Sequence, residues 1–146
     1  MKRVHLAIIL GIILHALILI AIPEGHGYGL MAMFDFYFPV GVYNALFSQG
    51  DFSGDWLIMG MTILSVIGKV LLFISLFRRF ENRKNLLRVI GVIALVGAYA
   101  IVCFHNGNEL GFQLLSGIFG GPFLVCAVYI LKAVYAERGS KELVTE

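Results

Sequence analysis

Two long stretches of this chain contain no lysine or arginine, residues 4–68 and residues 89–131. No basic-aromatic surface for nucleic acid is left outside the apolar blocks, and the arginines of the 78–88 stretch read as topology signals. Cysteine is scarce too. Cys103 and Cys126 lie in apolar surroundings and form neither a CxxC pair nor a metal-ligand pattern. No Gly-rich phosphate loop, HExxH motif or Ser/His/Asp set is recognisable. The sequence has no internal repeat and no low-complexity tract. It thus names no catalytic residue, cofactor or metal, and the balance is against an enzyme.

What the chain has is apolar residues. They make up 60% of its 146 residues, against roughly 45–50% in soluble domains, and mean hydropathy is +0.91. They come in blocks at residues 4–22, 56–77, 86–104 and 112–135. Each block is near the roughly 20 residues that a membrane-crossing helix requires. The first follows Lys2 and Arg3 and stops at Pro23. It is longer than a signal-peptide core and lacks a clean small-residue cleavage site, so it reads as an uncleaved span. The expectation is one all-α integral membrane domain, residues 1–146, built as a four-transmembrane-helix bundle.

Placement of the basic residues orients the bundle. With an inside N-terminus, Lys2, Arg3, Arg78, Arg79, Arg83, Lys84, Arg88, Lys132, Arg138 and Lys141 all fall on the cytoplasmic side. The external side receives none, which satisfies the positive-inside rule. Both termini are then cytoplasmic, with a tail at 136–146, and residues 23–55 are external. The expected location is the cytoplasmic (inner) membrane of a bacterial-type cell.

Within the external loop, residues 28–48 are apolar enough to raise the question of a fifth crossing. That crossing would put the basic connector 78–84 outside, so it is rejected. The segment is expected to lie at the outer interface between helices 1 and 2 as two short helices, at about 28–38 and 40–48, broken by Pro39. In the first arm, Leu30, Met33, Phe34, Tyr37 and Phe38 recur at helical spacing. A re-entrant hairpin with its tip at 39–41 is the alternative. It requires irregular backbone buried in protein or lining a wet cavity.

Three groups of residues stand out. His15 and Lys69 are the ionisable groups deepest in the spans, and such groups are candidates for a permeation path. Against this, Lys69 could snorkel to the inner interface, and His15 could simply hydrogen-bond a neighbouring helix. The external face holds Glu24, His26, Asp35, Asp51, Asp55, His105 and Glu109 with no basic partner. Its negative potential favours a cationic ligand or a basic partner surface. Ordinary headgroup-level loops are a better account of these residues than a metal site. The aromatic set Phe34, Phe36, Tyr37, Phe38, Tyr43, Phe47 and Trp56 supplies anchors for another membrane protein. Small-residue pairs mark close helix packing: Gly117 with Gly121 (overlapping Ser116 and Gly120), Ala94 with Ala98, and Ala7 with Gly11. Contact within the monomer is expected for them rather than dimerisation.

The function expected from sequence is a non-catalytic accessory, immunity-like or partner-binding membrane protein that acts through its external aromatic loop. The first alternative is a small-solute or ion transporter or channel using His15 and Lys69. The second is lipid or quinone chemistry at the outer headgroup level, with His26, Asp35 and His105.

Overall fold

A computed structural model describes residues 2–21, 28–36, 56–77, 83–105 and 110–142. The described chain is mostly helical. Its order is α1 (Lys2–Ala16), β1 (Leu19–Ala21), β2 (Tyr28–Leu30), a short α2 at residues 31–36, α3 (Trp56–Ile74), α4 (Lys84–His105) and α5 (Leu110–Glu142). α3 packs most extensively on α4, and α1 on α5, with α4 against α5 completing the layer.

Two expectations are corrected at the start of the chain. The first helix does not run to residue 22. It ends at Ala16 with a tightened turn, in which Leu17 N donates to Ile13 O and Leu14 O and Ile18 N donates to His15 O. The chain then becomes extended, and Leu19↔Leu30, Ile20↔Gly29 and Ala21↔Tyr28 pair antiparallel. The fold is therefore not purely helical. Ile18 and Ile20 are fully buried while Leu17 is 37% exposed, the period of two that a strand imposes. The partners of this stretch explain the change. Met31 N donates to Ile18 O at 2.8 Å, and Ser116 Oγ on α5 donates to Leu19 O at 2.9 Å. These bonds take up the backbone groups that helix would otherwise satisfy internally.

The second correction concerns residues 28–38. They do not form one amphipathic helix. Residues 28–30 are strand, and only 31–36 turn helically. The buried face is also different: Met31 is fully buried and Phe34 packs on the core, whereas Met33 is 53% exposed. The expected second arm at 40–48, with Tyr37, Phe38, Pro39, Tyr43 and Phe47, lies outside the described residues. Glu24, His26, Asp51, Asp55 and Glu109 do so as well.

The later blocks match their helices more closely. α3 stops at Ile74, and a turn through Phe77 follows, closed by Ser75 N to Leu71 O. α5 is longer than its apolar block and carries helix through Glu142, into the tail set at 136–146; Pro122 lies inside it. Lys84–Phe104 and Ser116–Glu137 are long and apolar enough to cross a membrane. Less than half of either is buried, whereas the core helix of a soluble domain would be mostly covered. The outward faces are apolar instead: Leu6, Ile9 and Ile13 on α1, Ile67, Val70 and Phe73 on α3, Ile90 and Ile93 on α4, and Leu114, Ile118 and Val125 on α5. A helix apolar all round belongs in a protein core or in lipid.

Glycines set the helix spacing at two crossings. A Cβ on Gly68 of α3 would stand 2.7 Å from the Leu95 side chain and 2.9 Å from Gly91 O, and one on Gly91 would stand 2.9 Å from Leu72. The α3–α4 backbones can approach this closely only because neither position carries a side chain. Gly120 lies under the Tyr99 ring in the same way. Gly117 and Gly121, expected to pack inside the monomer, meet no neighbour within 4 Å of a built Cβ among the described residues. The overlapping pair Ser116 and Gly120 faces inward in their place. Ala94 and Ala98 are both buried.

Candidate functional site: an interior polar cluster

The fold brings four polar side chains from three elements into the bundle. α1 ends one residue after His15, so the imidazole projects from the last helical turn and is fully buried. Its Nε2 lies 3.1 Å from Leu95 O on α4. A carbonyl can only accept, so Nε2 carries the ring hydrogen and Nδ1 is a bare acceptor. The ring meets Phe123 of α5 edge-on, with centroids 5.0 Å apart, and Phe123 in turn packs against Tyr99. These contacts fix both the tautomer and the plane of the imidazole.

The hairpin delivers the second group. β2 runs back beside β1, which returns the chain to the end of α1, and α2 then places Asp35 against α3. There Lys69 Nζ donates to Asp35 Oδ2 in an ion pair whose side chains are 15% and 17% exposed. This revises two expectations. Asp35 is not without a basic partner, and Lys69 is paired rather than alone. His15 and Lys69 lie near one level of the bundle: His15 reaches Leu95 O, and the Leu95 side chain packs on Gly68, the residue before Lys69.

Ser65 is one turn from Lys69 on the same face of α3 and is fully buried. His15 Nδ1, Asp35 Oδ1 and Ser65 Oγ are all buried without a hydrogen-bond partner among the described residues. Buried polar atoms are satisfied in the great majority of cases, so three unpartnered atoms on residues of this interior cluster are unusual. No group of three or more His, Cys, Asp or Glu side chains able to hold a metal occurs among the described residues.

Sequence reasoning missed a second cluster at the other end of the bundle. Arg88, only 3% exposed, reaches Glu137 at 3.5 Å, and Lys84 reaches the same carboxylate at 3.7 Å. Arg88 also donates to Asn85 Oδ1 at 3.5 Å. These basic residues read as topology signals in the sequence, yet they join the start of α4 to the last turns of α5. Glu137 is the signal that was available, a lone acid just beyond an apolar block.

The remaining candidates are dispersed or outside the description. Trp56 opens α3 and His105 closes α4. Phe36 is 88% exposed beside Asp35, while Phe34 turns inward. Cys103 and Cys126 are both free thiols. Compared with protein-family models, curated proteins and solved structures, the chain gives no match.

Proposed function

We propose that this is a polytopic membrane protein with four crossings and cytoplasmic termini, and that it conducts or transports a small polar solute or ion through its interior. The observation that carries the reading is the Asp35–Lys69 pair beside buried His15. Ionisable groups inside a membrane bundle are costly, and they recur where a polar solute must pass. The first crossing differs from the others. α1 has 15 residues, about 22 Å of helix, short of a hydrocarbon core of about 30 Å. Residues 17–21 add roughly 16 Å of extended chain, which makes up the length. Non-helical backbone at that depth is tolerated when protein covers it or when it lines a wet cavity. Burial of Ile18, Ile20 and Met31 supports the first condition, and the unpartnered polar atoms support the second.

Purified protein in proteoliposomes tests this reading. Flux of at least one solute in a panel of small cations and neutral polar molecules is expected, with loss of flux in His15→Phe. No flux of any panel member by the wild type removes it. For topology, a cysteine at Ser140→Cys should react with an impermeant maleimide only after permeabilisation of cells.

A second reading keeps the external segment as a docking surface for another membrane protein. It is favoured by Phe36, 88% exposed while its neighbour Asp35 is pinned to α3. A photocrosslinker at Phe36 should then capture one dominant protein, and capture of lipid alone counts against it.

A further inference from the structure

We propose that the His15–Asp35–Ser65–Lys69 cluster is a binding site for a small primary ammonium cation, with the Lys69 ammonium as its resident occupant. This rests on the reading of the interior as a solute path and names the class of solute. The orphaned atoms decide the chemistry. His15 Nδ1 and Asp35 Oδ1 can only accept, and Ser65 Oγ has lone pairs free. A ligand must therefore bring hydrogens. An ammonium head brings three or more, together with the positive charge that a carboxylate in low dielectric demands. The chain itself shows that this carboxylate takes such a head, because Lys69 Nζ already sits on Asp35 Oδ2. The aromatic ring of Phe123 holds His15 at a fixed angle, 77° between planes, so the imidazole acceptor is preset rather than recruited.

Lys69 can leave Asp35 by turning about its flexible four-carbon stem, which carries its three donors at a rotatable tip. The incoming cation then takes over the charge of the departing one, and Asp35 is neutralised in both states. Lys69 is thus a competitor of the ligand. That role distinguishes the site from a structural ion pair, in which Lys69 would be a required partner.

The test uses the full-length chain with Cys103→Ala and Cys126→Ala and a single reporter at Ser65→Cys. Cationic aminoethyl methanethiosulfonate should modify the reporter faster than the anionic sulfonatoethyl reagent, and methylammonium chloride should slow that reaction. Adding Lys69→Met should lower the methylammonium concentration needed by on the order of tenfold or more, equivalent to about 1.4 kcal/mol. Asp35→Asn should abolish both the charge preference and the protection. Equal rates for the two reagents, absence of protection in the Lys69→Met background, or an unreactive reporter in folded protein overturns the proposal. Thr62→Cys, one turn away on α3, is the reporter if Ser65→Cys does not fold. Protection without flux in liposomes removes the transport reading and leaves the site. Flux of a neutral solute without protection does the reverse.

Discussion

Replacing Lys69 by methionine removes an ammonium and keeps an unbranched side chain of similar reach. What remains is the Asp35 carboxylate, 17% exposed, with Oδ1 already unpartnered and Oδ2 newly so. Breaking a buried pair from one side costs about 3–5 kcal/mol, because the surviving charge is left uncompensated. Asp35→Asn should cost less, since a freed lysine can snorkel and an asparagine still accepts a hydrogen bond. The double variant has no charge to strand. It should fall within about 2 kcal/mol of wild type, as replacements of buried pairs by neutral groups commonly do. For a chain of this size, 1 kcal/mol corresponds to roughly 2–4 °C in Tm. Lys69→Met should therefore lower the midpoint by on the order of 6–20 °C, and Asp35→Asn added to it should recover most of that loss. Thermal unfolding in detergent, followed by helical circular dichroism, reads the cycle. Losses that simply add in the double variant refute the coupling, and with it the claim that the hairpin is held to α3 by this pair.

Other outcomes follow from particular contacts. Gly68→Ala drives a Cβ to 2.7 Å from Leu95 and 2.9 Å from Gly91 O, and should destabilise by about 1–3 kcal/mol. Gly117→Ala, with nothing within 4 Å, should be neutral or stabilise by up to about 1 kcal/mol; parallel melting curves compare the two. Glu137→Gln should cost about 1.5–3 kcal/mol by leaving Arg88, 3% exposed, without its anion. Protease sensitivity of the α5 end should rise with it. His15→Phe keeps an aromatic ring against Phe123 but removes the bond to Leu95 O. It should retain the fold by size-exclusion chromatography and lose solute flux.

The helical blocks are the most legible part of this chain. Long apolar runs bounded by charge have few ways to fold, because every backbone polar group in such a run must be satisfied within it. That is why the blocks at 56–77 and 86–104 match α3 and α4 to within a few residues. The start of the chain was not legible in this way. Residues 4–22 are apolar throughout, and nothing local distinguishes the isoleucines of α1 from those of β1. Strand was selected by partners distant in sequence, Leu30 through β2 and Ser116 from α5. Strand propensity is largely such context. Periodicity misjudged residues 28–38 for the same reason.

The candidate site divides along the same line. His15 and Lys69 were visible from the sequence alone, since a titratable group in an apolar run needs no partner to be conspicuous. Asp35 was visible only as one of several external acids. Its pairing with Lys69 depends on the hairpin bringing residue 35 back beside the end of α1, a long-range event that no local pattern records. The small-residue stripes show the same limit. Sequence marked Gly117 and Gly121 together with Ser116 and Gly120, and only the rotation of α5 against Tyr99 decided which pair faces inward. Composition and charge thus determined an apolar helical chain with two buried ionisable groups, because those properties act residue by residue. The strand pair, the ion pair and the inward face of each helix came from tertiary contacts, because each needs two distant segments to meet.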